Sequence, residues 1–382
     1  MDLDITIVGA GPVGLCLALG LANHGKKVLL LEKKPWFDEH SRAPAIWPRT
    51  QEVLAQLGVL NPFLQKGIVL QDATFWEVHE KRERALIHLP FKDLKGETPY
   101  PQMLIFPQNK TERLLHEVLS RNANVNIQMN SEVTFLEQND HSVIVHYQQE
   151  KQKNQAESSF VVGCDGAHSK IRELLGFQLK GITYPIHAAL ADITTDLPFS
   201  FPRLSTREFL AVAIKMETNL WRIILPFPKK DKLPLDQRIE QSIHYLFGQI
   251  PHDRVWQSEF TLHQRISEGL FQGRVCLAGD AAHLNSPVGG QGMNAGIQDT
   301  EILCRCLVEA LDNKSTEPVH LYAQKRRIEI QRGVNRFTHQ LTRILIWRQG
   351  KYLTWILRLV NLLIQIKPLR LALLRRMAML KT

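Results

Sequence analysis

The sequence predicts an α/β fold: a unit of short apolar strands, glycine turns and helices interleaved with a mostly antiparallel β-sheet domain and followed by C-terminal helices. Three observations predict it. Two glycine-rich turns, Gly9–Gly14 and Gly289–Gly292, each lie between a short apolar run and a helical spacing of apolar residues. Between them, Tyr184–His263 is dense in β-type runs. From His320 the apolar spacing is helical to the end, broken at Gly350 and Pro368.

Asp4–Val8 reads as a strand, followed by Gly9-Ala10-Gly11-Pro12-Val13-Gly14, a helix to about Asn23, a second strand at Val28–Leu31 and an acid, Glu32. This is the Rossmann-type dinucleotide fingerprint in its required order, with the acid about 20 residues beyond the glycines. Gly9, Gly11 and Gly14 permit the tight turn and let a pyrophosphate approach the helix N-terminus, and Glu32 is placed to accept hydrogen bonds from a ribose. On this fingerprint alone NAD and FAD are equivalent ligands.

Ser41-Arg42-Ala43 begins a loop into a helix at Thr50–Leu57, and Thr74–Leu89 alternates enough for two strands. Phe106-Pro107-Gln108 opens a helix running to about Arg121. Val133–Tyr147 reads as two antiparallel strands joined by a polar turn near Gln138–His141. Lys151–Ser158 reads as a solvated connection, and Phe160–Gly163 as a buried strand ending in Cys164-Asp165-Gly166-Ala167-His168-Ser169-Lys170-Ile171-Arg172. Asp165 is also placed to cap the helix that begins near Ser169.

The β-rich stretch holds runs at Ala188–Thr194, Phe209–Met216, Leu220–Pro226 and Val255–Leu262, with one helix at Asp236–Phe247. Alternation along Leu220–Leu225 puts Trp221 and Arg222 on opposite faces. The densest chemistry lies in Gly273–Asp299. Val275–Ala278 is a short buried strand, and Asp280 stands at its carboxyl end, where open α/β sheets place ligand-contacting groups. Gly289, Gly290 and Gly292 let backbone N–H groups approach a ligand closely, and Met293, Ile297, Cys304 and Val308 then take a helical spacing.

On these motifs the chain resembles the class A FAD-dependent monooxygenases, the family of p-hydroxybenzoate hydroxylase. The likeness rests on Gly9–Gly14 with Glu32, on Cys164-Asp165-Gly166 through Arg172, and on Gly279-Asp280-Ala281-Ala282-His283, Pro287, Gly289–Gly292, Met293-Asn294 and Gly296-Ile297-Gln298-Asp299. Two departures are visible: Cys164 replaces a common Ala, and Leu303-Cys304-Arg305-Cys306 replaces a Trp-Lys pair.

The resemblance implies FAD as cofactor, with NADPH or NADH as co-substrate. Asp280 would hold the ribityl chain, and Pro287, Gly289, Gly290, Gly292, Met293 and Asn294 would border the flavin ring. Arg42 would lie near the pyrophosphate and Gln108 on the flavin's polar chain. Asp165 and Gly166 would serve flavin and nicotinamide. The candidate catalytic residues are Pro287, Gly289, Gly290 and Arg222, with backbone N–H groups around Gly289–Gly292 stabilising negative charge on the flavin. His283 would pack beside it. The implied reaction hydroxylates an aromatic or other electron-rich small molecule, using dioxygen and a flavin C4a-hydroperoxide. The implied FAD domain spans 1–73, 100–180 and 266–318, the sheet that roofs the substrate 74–99 and 181–265, and the C-terminal helical region 319–382.

Composition sets the remaining bounds. An apolar fraction of 44% with 22% charged residues is that of a globular protein. Five cysteines without framework spacing, and a first strand starting almost at Met1, lead us to expect free thiols and a reducing, cytoplasmic setting. No cluster has metal-ligand spacing. The net charge is +9, yet Ile330–Thr382 carries eleven Lys/Arg and no acid, leaving 36 basic against 38 acidic residues elsewhere. The basicity belongs to the tail, and no basic face of a folded domain points to nucleic acid. In the tail Lys351, Arg358 and Gln365 fall on one stripe, with Leu353, Ile356, Leu357, Val360 and Ile364 elsewhere on the surface. That segment is expected to pack on the core or to lie on a membrane surface, not to span it. A flavin-dependent halogenase shares the scaffold, but its Trp-x-Trp-x-Ile-Pro signature is absent. A flavin-binding subunit without turnover, or another flavoprotein oxidoreductase on this scaffold, is the alternative reading.

Overall fold

Five short runs form the parallel centre of an eight-stranded sheet, in the order Val275–Leu277, Gln152–Gly163, Leu3–Val8, Val28–Leu31 and Val125–Gln128. Ile5, Ile7, Leu29, Leu30, Val161, Val162 and Val275 are buried, as they must be where both faces of a parallel sheet are covered. Helix Pro12–Asn23 covers part of this sheet and is packed in turn by helix Gly292–Asp312. The structure is a computed structural model and describes residues 3–40, 43–79, 82–198, 202–206, 210–347 and 351–380.

Lys151–Ser158, expected as a solvated connection, is mostly strand. Gln152–Gly163 is one continuous element whose first half pairs antiparallel with Val143–Gln149. The hairpin closes through Glu150 and Lys151, with φ of 47° and 74°, the positive pair that suits the twist of two-residue hairpins. This half is held by its backbone ladder and not by burial, so its polar composition hides it. Val125–Gln128 gives no strand signal either, and is recruited beside Val28–Leu31.

The second eight-stranded sheet runs His283–Leu284, Asp253–Ser267, Leu179–Thr194, Leu220–Pro228, Ala211–Lys215, Arg203–Ser205, Ala73–His79 and Arg82–Leu89. Its pairs are antiparallel except that between Arg203–Ser205 and Ala73–His79. Alternation sends Ala189, Ala191, Ile193, Ala213, Trp221 and Ile223 to an outer face under helix Leu235–Phe247. Ile214, Met216 and Leu220 face inward, toward Ala45, Met103 and Ile105 of a small three-stranded sheet. Phe209, the expected start of one run, lies outside the described residues.

Helix Glu317–Ile330 passes through a π turn at Gln331–Asn335 into helix Arg336–Trp347, and helices Lys351–Leu363 and Lys367–Met377 follow. The tail packs on the core, one of the two arrangements expected for it. Leu353 and Leu357 are buried against Leu86, Leu204 and Leu210, and Ile364 and Leu374 join Trp47 and Phe91. Arg358, Arg370 and Arg375 turn back onto Glu77, Asp93 and Glu97. Gly350 lies outside the described residues. Pro368 sits in the first turn of the last helix, where a missing N–H costs nothing. Among the described residues no helix is long and apolar enough to cross a membrane.

Candidate active site

Leu3–Val8, Gln152–Gly163 and Val275–Leu277 are neighbours running the same way, so three motif loops leave the sheet at one edge. The turn after the first strand closes without room for side chains. Gly9 has φ +104°, and a Cβ there would lie 2.5 Å from the Cys164 carbonyl oxygen. A Cβ on Gly14 would lie 1.9 Å from the Gly9 carbonyl oxygen. At Gly11 the same direction is open, with nothing within 4 Å, just where helix Pro12–Asn23 presents its N-terminus. That is the cradle a pyrophosphate requires. Beside it Glu32 is held by two amides: Ala10 N–H donates to Oε2 at 2.8 Å and Lys34 N–H to Oε1 at 3.0 Å.

Asp165 caps the helix after it, as expected. Ser169 Oγ donates to its carboxylate at 2.5 Å, and the amides of Lys170 and Ile171 donate at 2.6 and 3.1 Å. Burial raises its pKa against the pull of these bonds. Gly166 follows with positive φ. Arg172, from the same loop, donates to the carbonyls of Ala281 at 2.9 Å and Ala167 at 2.8 Å, and so fastens this motif to the one bearing Asp280. Asp280 itself is exposed on the turn Gly279–Ala281.

The loop from Pro287 to Gly292 is stitched to residues 45–47. Trp47 Nε1 donates to the carbonyls of Gly289 and Gly290 at 3.1 and 3.2 Å. Asn294 accepts from Trp47 N–H at 2.9 Å and donates to Ala45 O and Gly290 O, both at 2.9 Å. Gly290 N–H donates to Pro287 O at 3.0 Å. Two expectations change here: the Gly290 amide is taken by the turn, and Asn294 positions the loop with both its polar atoms. The first amides of helix Gly292–Asp312, at Gly292 and Met293, have no intrahelical acceptors. His283 is buried and paired with Asp299 at 2.8 Å, a packing role behind the loop.

Opposite stands the inner face of the second sheet, where Tyr184, Ile186, Ala188 and Leu262 pack with Val288. Arg222 lies on this face and Trp221 on the other. Arg222 is buried, donating from Nε and Nη2 to Asp192 at 2.8 and 2.7 Å, with its guanidinium 5.4 Å from the Trp256 ring. Trp256 stacks on His40, 5.5 Å between centroids. The Arg222 Nη1 has no hydrogen-bond partner among the described residues. Helix Arg336–Trp347 closes one end, with His339 bonded to the Tyr184 hydroxyl at 2.8 Å and Thr342 to Ser286 at 2.5 Å. Asp192, Trp256, Trp47 and His40 were not visible as site residues, since each joins through sheet register or loop packing. Arg42 lies outside the described residues.

Gln108 opens its helix as expected, with Nε2 donating to Glu112 Oε1 at 2.8 Å. Burial pushes the Glu112 carboxyl up to about 7 from an ordinary 4.5, with Asp38 and Glu32 adding repulsion. Between those two values the folded chain keeps a proton that the unfolded chain has released, so stability declines as the pH rises through that window. Glu112→Gln is expected to stabilise the protein by about 2 kcal/mol at pH 8 and not at pH 4.5. Urea denaturation at both pH values measures this; equal midpoints for the two proteins at pH 8 would contradict it.

A family model described as "FAD binding domain" matches residues 2–338. The chain is 28% identical over 336 residues to para-nitrophenol 4-monooxygenase from Pseudomonas sp. (strain WBC-3), covering 85% of this chain and 82% of that protein. It is 31% identical over 343 residues to 6-hydroxy-3-succinoylpyridine 3-monooxygenase from Pseudomonas putida, covering 86% and 85%. Among solved structures, p-nitrophenol 4-monooxygenase from Pseudomonas putida superposes with a TM-score of 0.90 at 23% identity, over 99% of this chain and 98% of that one, which shows the shared fold. Since the family match runs through all three motif loops, the chain belongs to the FAD-dependent aromatic monooxygenases.

Proposed function

We propose that the protein hydroxylates a small phenol-like ring, with FAD at the common edge of the three loops, NADPH or NADH as reductant and dioxygen as the oxygen source. The observation that carries this reading is the meeting of Gly9–Gly14, Asp165–Arg172 and Asp280–Gly292 opposite a sheet face bearing one buried arginine. Gly11 and the N-terminus of helix Pro12–Asn23 take the pyrophosphate with Arg42, Glu32 the ribose, and Asp280 and Gln108 the polar chain. Pro287, Gly289, Gly292 and Met293 border the ring. FAD held by these residues would supply the redox chemistry, taking a hydride equivalent from the nicotinamide and activating dioxygen so that one oxygen atom goes to the substrate and the other leaves as water. The chain positions both partners and keeps water out, for which the apolar wall of Ile186, Ala188, Leu262 and Val288 is suited. Arg222, steadied by Asp192, donates from Nη1 to the phenolic oxygen and relieves an otherwise unmet buried donor. The names of the two curated relatives, a nitrophenol and a hydroxypyridine monooxygenase, support a hydroxylated ring as substrate. A peripheral membrane contact draws little support, because Arg358, Arg370 and Arg375 are already paired within the chain.

The purified protein is expected to be yellow and to release FAD on heating, identified by chromatography; FMN, or no flavin, would overturn the reading. Asp280→Ala should lose most of that flavin, since hydrogen bonds to a charged acceptor contribute about 1.5–3 kcal/mol. A folded variant with unchanged FAD affinity would displace Asp280 from the site. Stimulation of NAD(P)H oxidation by a panel of phenols, with a hydroxylated product, tests the reaction itself.

A further inference from the structure

Gln108 and Glu112 stand one turn apart on the same face of helix Gln108–Leu119. The Gln108 amide commits its donor end to Glu112, Nε2 to Oε1 at 2.8 Å, so its carbonyl points away from that carboxyl. Glu112 is only 8% exposed, and this partner is neutral. Among the described residues it forms no ion pair. The charged groups around it are Glu32, Asp38 and Lys34, and Lys34 is paired with Asp38. Repulsion from Asp38 exceeds the pull of Lys34, and Glu32 adds to it. Helix Pro12–Asn23, packed on the same helix, brings Cys16 as its one titratable side chain, a buried thiol pushed up to about 12 and so uncharged. One turn further on, His116 packs on Trp36 and Phe37, and burial lowers its pKa. Lys110 is paired with Glu217, and Arg113 is exposed. A buried carboxyl in such company favours its protonated form.

Glu32 ties this group to the cofactor cradle, because its carboxylate is held by the amide of Ala10, inside the Gly9–Gly14 turn. FAD would bring the negative charge of its pyrophosphate to that turn, at an edge that already carries Glu32 and Asp38. An ionised Glu112 adds a third carboxylate there, and a protonated one does not. Resting on the FAD reading above, we propose that Glu112 is a positioning residue that holds Gln108 for the cofactor and keeps its proton more tightly when FAD is bound, so that FAD affinity falls as the pH rises. The coupling is reciprocal: by whatever factor FAD strengthens proton binding, the proton strengthens FAD binding. In the cofactor-free chain burial lifts the carboxyl to about 7, and the cofactor's charge lifts it further. Below that pH the proton is present with and without FAD, and affinity is level. Above it binding must draw a proton in, and affinity declines. A rise of one unit on binding corresponds to about a tenfold change.

The test dilutes the FAD-loaded full chain in buffers from pH 6 to pH 9 and reads the fluorescence of released FAD. The wild-type dissociation constant is expected to rise about tenfold across that range. Glu112→Gln keeps a hydrogen-bonding group beside Gln108 and cannot ionise. It is expected to match the wild type at pH 6 and to hold that affinity at pH 9. Glu112→Ala is expected to be level in pH as well but roughly threefold to tenfold weaker than Glu112→Gln, the scale of one lost hydrogen bond, because Gln108 is no longer held. In the infrared, the FAD-loaded wild type at pH 7.5 should show the carbonyl band of a protonated carboxyl that the Glu112→Gln protein lacks. A wild-type affinity level in pH, a Glu112→Gln protein with the wild-type slope, or an alanine variant that binds FAD as the glutamine variant does would each overturn this inference alone. A chain that holds no FAD at any pH would overturn the FAD reading and this inference with it.

Discussion

Asp299→Ala is expected to cost about 3–5 kcal/mol of stability and to release the flavin, because it strands a buried charge. Asp299 is fully buried at the centre of a hub. Its Oδ2 accepts from the Gly279 amide at 2.9 Å and from His283 Nε2 at 2.8 Å, and its Oδ1 from Arg326 Nε at 2.6 Å. Burial alone would raise its pKa, yet His283 and Arg326 outweigh that and hold it at about 2, against an ordinary 3.8. With the folded value the lower one, the stabilisation is complete above pH 3.8 and is lost as the pH falls toward 2. Alanine leaves Arg326 Nε without its buried acceptor, with Glu329 on Nη1 at 3.0 Å as its remaining carboxylate, and frees the turn that carries Asp280. Adding Arg326→Met to the same chain is expected to recover part of the loss, since removing both charges is milder than removing one. Urea denaturation and flavin absorbance measure both effects. A folded Asp299→Ala protein with the wild-type midpoint would show that the hub is not stabilising.

Gly14→Ala is expected to weaken FAD binding roughly tenfold to a hundredfold, the scale of a 1–3 kcal/mol overpacking strain. The added Cβ would sit 1.9 Å from the Gly9 carbonyl oxygen, backbone against backbone, so only an opened turn relieves it. Gly11→Ala supplies the contrast. Nothing lies within 4 Å of that Cβ in the chain, so the cofactor-free protein should keep its stability while FAD affinity falls. Titration of the apoprotein with FAD, beside its denaturation curve, separates the two. Wild-type affinity in both variants would place the pyrophosphate elsewhere.

The three motif loops were legible in the sequence because their signals are local. A glycine turn between a strand and a helix, or an aspartate at a strand end, keeps its meaning within a dozen residues. The proposed substrate wall was harder to read. Arg222 finds Asp192 only through the register of two antiparallel strands, and Trp256 reaches the same spot from a third. Asp299 stood in a quoted motif, yet its partner Arg326 lies on a different helix, where nothing in the spacing marks it. The tail's charge count left its packing open, since three of its arginines answer acids from residues 77–97, far away in sequence.

The order of strands in the parallel sheet bears on how the chain is made. Val8 is a register partner of Gly163, and Gly163 of Leu277, so the first strand waits for neighbours that leave the ribosome far later. At bacterial and eukaryotic rates that delay is on the order of tens of seconds, during which Ile5, Ile7 and the leucines of helix Pro12–Asn23 have no native cover on one side. Such long sequence separations slow folding and lengthen exposure to aggregation. The Gly9–Gly14 turn is therefore synthesised well before the strand end that carries Asp280, and the three motif loops can meet only once residue 292 has been made.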